Sequence, residues 1–167
     1  MEKDVSVTVS IIIGSESDMD LAKKCSDTLD SLSLSNSIQV LSAHRTPGLL
    51  EDHVRECENG GTKVFIAMAG LAAHLAGAVA SKTVLPVIGV PGDGGPLSGM
   101  DALLSTVQMP KGIPVATVAI GSAGATNSAY LAAQILGVHS EDIRKALLKV
   151  REDGKSAIKA INDKLIN

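Results

Sequence analysis

The chain has 167 residues, 15 basic and 18 acidic side chains and a formal net charge of -3, which gives no electrostatic reason to expect a nucleic-acid partner. With one Phe (Phe65), one Tyr (Tyr130) and no Trp, it lacks the aromatic platforms on which single-strand binders stack bases. Any flat ligand ring must therefore rest on backbone and aliphatic groups. Apolar residues make up 45% and charged residues 20%, ordinary for a soluble globular protein, and the length fits one domain over residues 1–167 with a core that needs no disulfides.

The N-terminus, MEKDVSVTVS, is charged and then β-like, without an apolar signal region, so no secretion signal is expected and a cytoplasmic location is. Short β-branched or aliphatic runs then alternate with helical patterns. Strands are predicted at Val5–Ile13, Ser37–Leu41, Lys63–Ala69, Pro86–Val90 and Pro114–Ile120. Helices are predicted at about Asp18–Leu32, Pro47–Asn59, Ala72–Ser81, Gly99–Gln108, Ala123–Leu136 and Glu141–Leu165, the last capped by Ser140. Several strands are apolar at nearly every position, as parallel strands covered on both faces are. The alternation predicts an open parallel sheet with helices on both sides.

The longest apolar stretches fall short of the ~18 residues a membrane span needs, so no membrane contact is expected. Cys25 and Cys57 have no metal-ligand spacing and read as buried structural thiols in a reducing compartment. The helix AGATNSAYLAAQIL is almost uncharged. It needs cover on more than one side, either as a central core helix or through contact with another subunit.

Polar chemistry collects after the strands, where open parallel sheets bind their ligands. The first strand runs into GSESD (Gly14–Asp18), the second into SAHRTP (Ser42–Pro47), the third into AGLAAHLAG (Ala69–Gly77) and the fourth into PGDGGPLSGMD (Pro91–Asp101). GSESD offers hydroxyls and amides at a helix start, suited to an anion or simply to capping; the spacing is not that of a dinucleotide fingerprint. In SAHRTP, Pro47 fixes the helix start. Arg45 can pair with phosphate or carboxylate. His44 carries the side chain that titrates nearest neutrality, and it reads either as a catalytic group or as an incidental loop residue. His74 reads as a helix-start histidine or a site residue, while His53 and His139 are expected to be solvated. No GxSxG elbow is present, which argues against acyl-enzyme chemistry.

Taken together and in order, GSESD, SAHRTP, AGLAAHLAG, LSGMDALLSTVQMPKGIPVATVAI and NSAYLAAQIL closely resemble the PurE family of purine biosynthesis over about Val5–Leu136. The resemblance implies a three-layer α/β/α sandwich with a flavodoxin-like parallel sheet, followed here by the long C-terminal helix. It also implies a homo-octamer with active sites at subunit contacts, and a reaction without metal or organic cofactor. That reaction moves carboxylate from the exocyclic nitrogen of an aminoimidazole ribonucleotide to ring carbon C4, through CO2 held in a closed pocket. By position, His44 is the implied proton shuttle. Ser15 and Arg45 match the positions that face the phosphate, and Asp18 the ribose. Ser42, Ala43, Ala69, Gly70, Ala72, Ala73, His74 and Leu75 match the walls around the imidazole and CO2.

The chain departs from the family pattern at Ala76, where many members have proline, and in the glycine-rich Gly89–Gly99 loop with its Asp93. The AAHL form at Ala72–Leu75 favours the mutase branch over a direct CO2-dependent carboxylase of aminoimidazole ribonucleotide, the alternative activity within the resemblance.

Overall fold

The computed structural model describes residues 7–165; Val5 and Ser6, the predicted start of the first strand, lie outside them. Five parallel strands form one sheet: β1 (Val9–Ile13), β2 (Asn36–Val40), β3 (Val64–Ala69), β4 (Val87–Pro91) and β5 (Ala116–Thr117), in the order β2-β1-β3-β4-β5. Six α-helices accompany them: α1 (Met19–Ser31), α2 (Pro47–Asn59), α3 (Leu75–Ala80), α4 (Met100–Val107), α5 (Gly121–Gly137) and α6 (Glu141–Leu165). This is the flavodoxin-like doubly wound order, and β1 and β3 flank the point where the winding reverses.

The apolar runs become the strands buried on both faces. Every residue of β1 and β4 is buried, whereas the edge strand β2 is only half covered. Alternate β1 side chains serve two cores. Val9, Ile11 and Ile13 pack with α1 and α5, while Ile12 packs with Leu50 and Val54 of α2 and Leu75 and Val79 of α3.

Strand β5 is much shorter than the predicted Pro114–Ile120. Pro114 brings no N–H, β5 is an edge strand paired with β4 among the described residues, and after Thr117 the bond from Val118 N–H to Gly89 O (3.1 Å) holds the chain before α5 begins. Helix α6 spans the predicted Glu141–Leu165, with Ser140 Oγ 3.5 Å from Ile143 N. Ile143, Leu147 and Val150 seat its first turns on the core, and residues 151–165 are exposed throughout.

The uncharged helix α5 finds its cover within one chain. Gly124, Ala125, Ser128, Ala129, Ala132 and Ala133 are buried, and the helix packs against β4, α1 and α6. The core reading accounts for that buried face, while Ala123, Asn127 and Gln134 on the same helix are exposed. Small side chains set the close spacing here: a Cβ on Gly124 would overlap the carbonyl of Ala119.

Two expectations about polar and sulfur side chains need correction. His53 is not solvated: it is half-buried beneath α2, with Nε2 3.0 Å from Oγ of the fully buried Ser10. A strand that points one hydroxyl into an apolar layer must partner it, and α2 supplies His53. Burial pulls the His53 imidazolium below its ordinary range, only partly opposed by the charge of Glu56. Cys57 is only partly buried, and its sulfur lies 3.3 Å from His53 Nε2 and 3.9 Å from Nδ1. Nearly equal distances put the sulfur over the ring face rather than on a nitrogen lone pair. Cys25 does sit in the core against Ser128, where burial pushes its thiol up to about 11. His139 is exposed, as expected.

Candidate active site at the carboxyl ends of the strands

The backbone ladder continues past the strand ends and holds four loops in register. Leu41 N–H donates to Ile13 O (2.9 Å), Gly14 N–H to Met68 O (3.1 Å) and Gly92 N–H to Ala69 O (2.9 Å). Between these loops lies a cavity of about 620 Å³, within the size range of small-molecule sites. It is lined from β1 by Ser15 and Asp18, from β2 by Ser42, Ala43, His44 and Arg45, and from β3 by Ala69, Gly70, Ala72, His74 and Leu75. Of the residues singled out in the sequence, Ala73 alone does not line it; its side chain is buried beneath the loop.

The SAHRTP loop is braced by its own side chains. Ser42 N–H donates to Thr46 Oγ1 (3.0 Å), and Thr46 N–H returns a bond to Ser42 O (2.9 Å). Ser42 Oγ accepts from Arg45 N–H (3.1 Å). Pro47 then occupies the first turn of α2, where its missing N–H costs nothing. So held, Arg45 reaches back across the sheet edge, and its Nη2 donates to Gly14 O at 2.8 Å. A guanidinium has five N–H donors in a rigid fork. Nε faces Ser42 Oγ at 3.3 Å, which leaves further donors for an anionic ligand group.

Ser15 and Asp18 divide the helix start between them. Ser15 caps the 3-10 turn Glu16–Asp18 that precedes α1, its Oγ accepting from Ser17 N–H at 3.4 Å. Asp18 occupies the N-cap position of α1, yet its side chain makes no capping bond. Burial raises its carboxyl above the usual range, partly offset by a hydrogen bond from the Ser15 backbone. A half-buried carboxylate not spent on the helix is suited to accept from ligand hydroxyls.

The third loop differs from its sequence reading. Helix α3 starts at Leu75, not Ala72, because Leu71 adopts φ 55° and two tight turns follow. Ala73 N–H donates to Leu71 O (2.9 Å) and His74 N–H to Ala72 O (2.8 Å). This contorted entry presents His74 to the cavity, where its Nδ1 lies 2.7 Å from His44 Nε2 with the rings edge to face, centroids 4.8 Å apart. Both histidines are exposed to the cavity.

Gly14, Ser17, Leu71, Gly94 and Gly95 also line the site and were not singled out. Gly14 and Ser17 belong to the GSESD motif, and the run GDGG marked the fourth loop, but nothing in the sequence announces the left-handed Leu71. The third and fourth loops meet backbone to backbone: a Cβ on Gly92 would stand 3.1 Å from Gly70 Cα. The cavity wall there is bare main chain.

Among the described residues no group of three or more potential metal ligands occurs, and no helix is long and apolar enough to cross a membrane. What the arrangement offers is a fixed guanidinium, a desolvated carboxylate, a pair of imidazoles and a floor of Ala and Gly. That set can hold a phosphorylated sugar and move a proton.

Comparison with known proteins places this geometry in a family. The family model described as AIR carboxylase matches residues 8–157. The N5-carboxyaminoimidazole ribonucleotide mutase of Bacillus subtilis is 49% identical over 158 residues, covering 95% of this chain and 98% of that protein. The protein of the same name from Escherichia coli K12 is 48% identical over 139 residues, covering 83% and 82%. Among solved structures, the fold is similar to Treponema denticola PurE, with a TM-score of 0.87, 29% identity and coverage of 95% and 98%. The chain belongs to the AIR carboxylase family.

Proposed function

We propose that this protein is an N5-carboxyaminoimidazole ribonucleotide mutase of purine biosynthesis, an isomerase that forms 4-carboxy-5-aminoimidazole ribonucleotide. The observation that carries the reading is the cavity itself. An anion-holding arginine, a ribose-suited carboxylate and a histidine all face one space walled by Ala and Gly, in a chain about half identical to proteins of that name.

In this reading Arg45 and Ser15 hold the substrate phosphate and Asp18 the ribose hydroxyls. The N–carboxylate bond breaks, CO2 leaves, and His44 delivers a proton to the exocyclic nitrogen. The ring carbon C4 then attacks the CO2, and His44 takes back the proton that C4 loses. Atoms and charge balance with no external reactant, and His44 ends as it began. One group that gives and later takes a proton works best when it titrates near the working pH, which favours an imidazole. CO2 has no charge to grip, so it is retained by confinement between Ala43, Ala69, Gly70 and Ala72 with water excluded.

We also place the protein in the cytoplasm and assign it a homo-octameric assembly. The assembly is supported by apolar side chains left in solvent by the single chain: Met100, Leu104 and Val107 on α4, and Ile158, Ile161 and Leu165 on α6.

The test is His44→Asn. A single acid–base group is worth roughly 10²–10⁴-fold in rate, so turnover should fall by about that factor while the thermal midpoint stays at the wild-type value. Near-wild-type turnover would remove His44 from the mechanism.

A further inference from the structure

The 2.7 Å approach of His44 Nε2 to His74 Nδ1 is closer than two imidazoles come unless one donates and the other accepts. Resting on the assignment of His44 as the proton shuttle, we propose that His74 is its positioning partner. One proton is shared between the two rings, and His44 Nδ1 is left to meet the substrate.

With both rings neutral, a single N–H lies between them and the opposite nitrogen accepts it. Adding one proton keeps that arrangement and makes the bond charge-assisted, hence stronger. Adding a second would set N–H against N–H and two like charges side by side, which is disfavoured. The pair therefore stores one exchangeable proton, the number that carboxyl migration releases and recovers.

The surroundings leave that balance to the pair. The other charged groups lining the cavity are Asp18 and Arg45, one of each sign, and Arg45 is engaged at Gly14 O. Helix α3, which follows His74, has no ionisable side chain; the glycine-rich Gly89–Gly99 loop carries Asp93, and Asp101 follows it in the first turn of α4. A bound nucleotide covering the cavity would displace water from the pair and strengthen the shared bond.

The backbone explains why His74 reaches this point at all. Had α3 begun at Ala72, as its pattern suggests, His74 would lie inside a helical turn. The left-handed Leu71 and the two tight turns after it turn the chain before the helix starts. A left-handed non-glycine residue is costly, and here it delivers a second imidazole to the first.

The pH–rate profiles of the intact enzyme, His74→Leu and His74→Asn test this. Leucine removes the acceptor, so the protonated form of His44 loses its partner. The alkaline limb of the kcat profile should move toward lower pH, and kcat should fall by about tenfold with KM little changed. Asparagine carries an oxygen where histidine carries Nδ1, so the limb should return toward its wild-type position.

A wild-type limb in His74→Leu would overturn the proposal and reduce His74 to a wall. Should His74→Leu fail to fold, nitrogen-15 imidazole titration of the substrate-free wild type decides instead. Coupled uptake of one proton supports the pair, and two independent full titrations refute it. Full activity in His44→Asn would instead sink the assignment on which the proposal stands.

Discussion

Two histidine sites lie on the same side of the sheet and do opposite work. His44 and His74 meet at the carboxyl ends of β2 and β3, open to a cavity. His53 is bound beneath α2 to Ser10, a buried hydroxyl near the other end of β1. At the first site, hydrogen-bonding capacity remains after the fold is built: three of the donors on Arg45, the carboxylate of Asp18 apart from its bond from the Ser15 backbone, and one nitrogen of His44. At the second, histidine and serine satisfy each other, and the sulfur of Cys57 covers the ring. Residue type alone does not distinguish them; what distinguishes them is whether the hydrogen-bonding capacity is already used.

Substitutions sharpen that contrast, and the largest effect after loss of the shuttle is expected at Asp18. Asp18→Asn should weaken binding of the nucleotide product by about tenfold, the order of one hydrogen bond to a charged group, as read by calorimetry. The same change should stabilise the empty protein at neutral pH. Burial raises the folded-state carboxyl above its unfolded value, so ionised Asp18 opposes folding, and that penalty appears as pH rises through the folded value. A variant that bound normally or melted earlier at pH 7 would show that Asp18 is committed to the fold after all.

A smaller effect, of opposite sign, is expected at His53. Its folded-state titration is depressed by burial, so the unfolded chain takes up a proton first as pH falls. Stability present above the ordinary histidine range, near 6.5, is lost as pH drops below it toward the depressed folded value. His53→Gln preserves a hydrogen-bonding group for Ser10 and cannot titrate. It should flatten the acid side of the thermal-midpoint profile and leave kcat unchanged. A change in kcat would show that the two histidine sites are coupled.

Most of the fold was legible in the chain because parallel strands buried on both faces are apolar without interruption, as in Ile11–Ile13 and Val64–Met68. Helices α2 and α6 match their predicted bounds, since Pro47 and Ser140 mark starts that physics enforces. The predicted Pro114–Ile120 strand shrank because an edge strand with one neighbour and a proline has little to hold it. The start of α3 was misplaced because the pattern of small and apolar residues continues back through Ala72, while the turn at Leu71 is imposed by the loops around it.

The cavity was legible because its residues sit directly after strands. The bond between His44 and His74 was not, since 30 residues separate them and only the three-dimensional path of the third loop brings them together. His53 was misread because a polar-looking helix face gives no sign of the buried Ser10 beneath it.

The most direct test of the account is the origin of the transferred carbon. Purified protein given N5-carboxyaminoimidazole ribonucleotide in buffer containing carbon-13 bicarbonate should form 4-carboxy-5-aminoimidazole ribonucleotide whose carboxylate is unlabelled, as the proposed retention of CO2 in the cavity requires. Product carrying the bicarbonate's full enrichment, formed at a rate that rises with added bicarbonate, would contradict it and identify a direct carboxylase of aminoimidazole ribonucleotide.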